Sequence, residues 1–276
     1  MNIVRHIQRK WKVQLKQQSR IHQAGFILKG GLSASFDPFL IMAEDVFQKE
    51  AFDYHPHRGM ETVTYVIDGE LHHKDNHGGE GVLYPGDAQW MTAGKGIIHL
   101  EAPPDGETVH TLQLWVNLPK THKMTPPRYQ DILSENIPER QEDGVTYRVF
   151  SGRSGATTSP TKNYVPVTMV EMLIPAGAEA VQDIPSDYNG FLYVLKGEGV
   201  VGKNKVKAEK GEVLWMETPD TTVENSEIRI EADKDLRVMF YAGKPLKEPV
   251  AARGPFVMNN EAELDQAFED YRNNKF

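Results

Sequence analysis

Cysteine does not occur in the 276 residues. Disulfides, thiolate nucleophiles and zinc–thiolate sites are therefore excluded, and any metal must be held by nitrogen and oxygen. Long apolar runs are missing too. No stretch approaches the roughly 20 apolar residues of a membrane span. The first thirty residues are charged and lack the apolar centre of a secretory leader. The expectation is a cytoplasmic protein that makes no membrane contact. Positive charge is in deficit: 31 Lys and Arg against 39 Asp and Glu give a formal net charge of −8. Such a surface repels a phosphate backbone, so direct nucleic-acid binding is not expected. The basic stretch Arg5, Arg9, Lys10, Lys12, Lys16 and Arg20 reads as a solvated strand or edge face.

Turn formers are plentiful, with 23 Gly and 17 Pro, and short strand-like runs lie between them. Glu61–Ile67 ends at Asp68-Gly69, a hairpin signal. Gly81–Tyr84 ends at Pro85-Gly86-Asp87. His110–Asn117 alternates, with Leu112, Leu114 and Val116 on one face. The polar segment Ser134–Asp143 reads as a linker. A second β-rich block follows and resembles the first. Tyr65-Val66-Ile67-Asp68-Gly69 matches Tyr193-Val194-Leu195-Lys196-Gly197, and Pro85–Met91 matches Lys210–Met216. The expected fold class is all-β: two tandem antiparallel barrels with a short C-terminal helix. The expected spans are 1–133 for the first barrel, 134–144 for the linker, 145–250 for the second barrel and 251–276 for the tail. Asn260 and Glu263 form a capping-box pattern. Leu264, Ala267, Phe268 and Tyr271 supply one apolar stripe that would dock on a barrel.

Two short pairs carry chemistry: His55-Pro56-His57 and His99-Leu100-Glu101. Strand residues two apart point to the same face, so each pair offers two ligands side by side. On neighbouring strands, His55, His57, His99 and Glu101 could converge on one divalent metal ion. Imidazole and carboxylate suit Fe(II), Mn(II), Co(II), Ni(II), Cu(II) or Zn(II). Glu61 competes with Glu101, because strict alternation places it on the face of His55 and His57. Glu101 is favoured for its pairing with His99, which leaves Glu61 to brace a ligand from behind. All ten histidines lie between His6 and His122. The repeat offsets place Asp183, Pro185, Glu224 and Ser226 where the first copy has its four ligands, so one metal site is expected, in the first copy. His72, His73 and His77 read as solvent-exposed. His110 reads as a hydrogen-bonded core or pocket histidine, and Met60, Trp90 and the Leu112 face as pocket wall.

The segments HPHRGMETVTYVIDGE, PGDAQWMTAGKGIIHLE, LQLWVNLP and GPFVMNNEAELDQAFEDY resemble the pirin family of the cupin superfamily, from about Phe36 to the end of the chain. The resemblance implies two tandem cupin (jelly-roll) barrels with Fe(II) in the first, held by His55, His57, His99 and Glu101. It also implies ring opening of a flavonol-like aromatic by O2, of the quercetin 2,3-dioxygenase type, with loss of carbon monoxide. Glu101 would be the catalytic group, taking the proton of the flavonol 3-hydroxyl. The family equally implies a rival: a non-catalytic iron-binding regulator that modulates a partner enzyme or a transcription regulator.

Overall fold

The computed structural model describes residues 3–30, 33–219 and 223–276. The chain is mostly β and forms two compact units, each built from two pieces of sequence. One unit comprises residues 15–136 with 246–276; the other comprises 1–14 with 137–245. Among the described residues no helix is long and apolar enough to cross a membrane.

These divisions differ from the expected spans at both ends. The strand Ile7–Lys12 pairs antiparallel with Glu212–Met216 and is the edge strand of a seven-stranded sheet in the second unit. Its basic side chains are largely solvated, as an edge face requires, with Lys10 reaching Glu212 and Lys12 reaching Glu209. Arg5 departs from that pattern. It is buried and donates to Ser226 Oγ and to the carbonyls of Tyr188, Pro185 and Ser186. The expected linker is also structured. Glu139–Glu142 is a strand paired with Val145–Ser151, because the polar Glu139, Gln141 and Glu142 can face solvent at a sheet edge. The tail, 246–276, belongs with the first barrel.

The first barrel has two sheets. A seven-stranded sheet runs Arg128–Ile132, Ala88–Thr92, Met60–Asp68, Thr108–Asn117, Phe39–Gln48, His22–Leu28, Lys16–Ser19. A four-stranded sheet runs His55–His57, Ile97–Ala102, Leu71–Asp75, Glu80–Leu83. Asp68-Gly69 therefore does not close a hairpin, since the strands it joins lie in different sheets. Gly69 has φ +83°, and a Cβ there would sit 2.5 Å from the Thr108 carbonyl oxygen, so the crossing demands glycine. Such crossings between facing sheets are what a jelly roll is made of.

The second unit repeats the plan with a packed interior. Val170, Ile184, Leu192, Ile228, Ile230 and Phe240 are among its fully buried side chains. The helix Glu261–Arg272 starts at Asn260, whose side chain accepts from the Glu263 amide at 2.9 Å. Leu264 and Ala267 are buried, and Phe268 packs edge-on against Phe256.

Candidate metal centre

His55 and His57 lie on one strand and His99 on its antiparallel neighbour, with His55 directly opposite His99. The ring centroids are 4.9 Å apart for His55–His57, 4.6 Å for His55–His99 and 5.0 Å for His57–His99. One ligand nitrogen from each ring lies within 4.8 Å of the others. The Asp53 carbonyl accepts a 2.8 Å hydrogen bond from His55 Nδ1, which leaves the Nε2 lone pair for a cation. His57 and His99 are buried, and none of their ring nitrogens has a hydrogen-bond partner. Leaving a buried polar group unsatisfied costs about 1–3 kcal/mol, so one unpartnered nitrogen from each of these two rings, clustered with one from His55, calls for an occupant. Burial, then neighbouring imidazoles, pushes both rings well below the ordinary histidine range. They are thus neutral, the form that donates to a metal. The residues fit a divalent cation with imidazole ligands.

Glu101 stands on the strand of His99, two residues on and opposite His73. It lies outside the group of three imidazoles. Its carboxylate accepts from Thr64 Oγ1 at 2.9 Å and from Gln113 Nε2 at 2.7 Å. Gln113 is itself oriented by Trp115, whose Nε1 donates to Gln113 Oε1 at 3.2 Å. Trp115 also presents its ring edge-on to His57, 5.2 Å away. Glu101 and His55 share a small cavity with Asp45, Phe47, Phe52, Thr64, Leu71, Thr111 and Gln113. Asp45 is held by His22 at 2.8 Å. Burial raises its carboxyl above the usual range, and Glu101 and Glu44 add to that against the pull of His22.

Several sequence expectations change here. Glu61 is buried and accepts from Thr92 Oγ1 at 2.6 Å, outside the histidine group. The alternation that favoured it breaks at Gly59, with φ +79°, which separates His55–His57 from Met60–Asp68. Met60, Trp90 and the Leu112 face do not line the cavity; the alternate residues Thr111 and Gln113 do. His73 is buried, 2% exposed, with its ring 4.0 Å from Tyr129 and 6.2 Å from His99. Its strand Leu71–Asp75 pairs with Ile97–Ala102, and the alternation of Leu71 with His73 was the available signal. His72 is half-buried and His77 exposed. His110 is hydrogen-bonded to Glu44 at 2.8 Å.

The second unit shows what became of the site in the other copy. Its cross-strand pairs Gln182–Ile228 and Ile184–Ser226 correspond to His55–His99 and His57–Ile97. All four of those side chains are fully buried. Gln182, Ile184, Ile228 and Ile230 thus take the places of His55, His57, His99 and Glu101. Asp183 and Pro185, one residue off, are only partly buried. Apolar packing replaces the ligands, and Gln182 is satisfied by Ser154 Oγ at 2.6 Å.

Comparison with known proteins agrees with this architecture. The Pirin family model matches residues 10–116, and the Pirin C-terminal cupin domain model matches residues 169–276. The chain belongs to the pirin family. Pirin-1 of Arabidopsis thaliana is 39% identical over 91% of this chain and 88% of its own length. GK1651 from Geobacillus kaustophilus has a crystal structure that superposes with a TM-score of 0.89 at 51% identity, covering 91% of this chain and all of that one. A quercetin 2,3-dioxygenase from Acinetobacter baumannii superposes with a TM-score of 0.86 at 30% identity, covering 99% and 98%. In pirin terms the imidazole cluster lies in the N-terminal cupin, and the C-terminal cupin is the filled copy.

Proposed function

We propose that this pirin is a metal-dependent dioxygenase that opens a flavonol-like aromatic ring with O2, as quercetin 2,3-dioxygenases do. The observation that carries it is three imidazoles converging beside a cavity that also holds an oriented carboxylate. The likeness to the Acinetobacter enzyme over nearly the whole chain supports the reaction class. His55, His57 and His99 would hold the ion, which we take to be Fe(II), with Glu101, two residues from His99 on the same strand, as the proposed fourth ligand. When bound, the ion would supply Lewis acidity and a template for the reaction.

The chain's own residues do the rest. Glu101 takes the proton of the substrate 3-hydroxyl, since its carboxylate opens on the cavity shared with His55. Thr64 and Gln113 fix the carboxylate's direction, and Trp115 fixes Gln113. Phe47, Phe52 and Leu71 give the aromatic substrate apolar wall and exclude water. The reading is tested by adding quercetin to metal-loaded protein without oxygen. The absorption band of the deprotonated flavonol should appear with wild type and be lost with Glu101→Gln. A band of equal size in both would remove Glu101 as the base.

A further inference from the structure

The tail of the chain grips both strands that carry the histidines. Arg58 follows His57 directly and is 3% exposed. Its Nε donates to the Lys95 carbonyl at 2.6 Å and its Nη1 to Asp270 Oδ2 at 2.8 Å. Its guanidinium lies 4.3 Å over the ring of Phe276. The Arg58 amide donates to the Pro255 carbonyl, and the Val257 amide donates back to Arg58 at 3.0 Å. One residue on, the Gly59 carbonyl accepts from the buried Lys123 ammonium, which also donates to Val257 and Asn117.

The other strand is held by the same tail. Phe276 fills the space beside Gly96, where a Cβ would sit 2.7 Å from its ring. Asn76 donates to the main-chain oxygen of Phe276 at 3.0 Å and exchanges two hydrogen bonds with the backbone of Ile98, next to His99. Arg58, Gln266 and Lys275 together hold the Asp270 carboxyl down at about 2. Yet the rings of His57 and His99 have no hydrogen bonds of their own to fix them. Their placement comes from backbone and packing alone.

We propose that Asp270, Arg58 and Phe276 form a clasp that positions His57 against His99 and so sets the affinity of the metal site. The three are positioning residues and do not touch the ion. The inference rests on the metal reading above and is independent of whether the protein turns over quercetin. The clasp would make metal retention depend on the docking of a surface helix, as supporting contacts around metal ligands commonly do.

The test compares wild type, Asp270→Asn, Asp270→Glu and Phe276→Ala as full-length chains. Metal dissociation constants are measured by competition with a chelator, and the Co(II)-loaded visible spectrum reports ligand geometry. Asp270→Asn and Phe276→Ala should weaken binding on the order of 10-fold or more and shift the Co(II) bands, while Asp270→Glu restores both. Phe276→Ala leaves the Arg58–Asp270 pair in place and guards against an unfolded Asp270 variant. Wild-type affinity and spectrum in both weakened variants, even with lowered melting temperatures, would overturn the clasp and leave the metal site standing. A wild type that binds no metal would overturn the metal reading and the clasp with it.

Discussion

His55 and His99 face each other across two antiparallel strands, with ring centroids 4.6 Å apart. That register brings together two histidines 44 positions apart in sequence and leaves His57 beside them. His99, like His57, is buried with both ring nitrogens unpartnered. His99→Ala is expected to abolish stoichiometric metal binding, a loss beyond about 100-fold, while the circular dichroism of the β-fold is retained. Metal analysis after dialysis checks it.

Gln113→Leu removes the donor to Glu101 Oε2 and the acceptor for Trp115 Nε1. Metal content should stay at one per chain. Turnover should fall roughly 10- to 100-fold, as when an oriented ligand loses its support. Steady-state kinetics beside metal analysis separates the two effects.

Glu61 distinguishes the two carboxylates of the sequence argument. Its partner is Thr92, so Glu61→Gln should leave metal affinity unchanged. Glu61→Leu takes the acceptor away from the buried Thr92 hydroxyl and should cost about 1–3 kcal/mol in denaturant unfolding. Loss of metal in Glu61→Gln would return Glu61 to the ligand set.

Acid should destabilise the metal-free protein. His57 and His99 stay neutral when folded, because burial and neighbouring imidazoles hold them well below 6.5. The unfolded chain takes up those protons near pH 6.5. Below that pH the unfolded state binds more protons, so stability falls as pH falls. Unfolding midpoints between pH 7.5 and 5.5 should show this slope, and a His57→Leu, His99→Leu double variant should flatten it.

The parts of the site that were legible from sequence are those set by period-2 alternation within one strand: His55 with His57, and His99 with Glu101. Alternation failed at Gly59, whose positive φ lies between the strand of His55 and His57 and the strand that begins at Met60 and carries Glu61. The repeat was legible, but its offset slipped by one residue in the first ligand strand and by four in the second. A one-residue slip flips the assigned side chain to the other face, so the offset points to Asp183 where Gln182 faces inward. The crossing of residues 1–14 into the second barrel depends on long-range pairing with Glu212–Met216, which no local pattern signals. Gln113 was hidden because the apolar Leu112 and Leu114 drew attention to the opposite face of their strand.

The central claim is tested most directly by oxygen uptake of Fe(II)-loaded protein given quercetin, run beside the His99→Ala variant. Dioxygen consumption that matches quercetin loss in wild type and vanishes in His99→Ala is the predicted result. No uptake above the variant, with one metal bound per chain, would contradict the dioxygenase assignment and favour a metal-dependent binding or regulatory role.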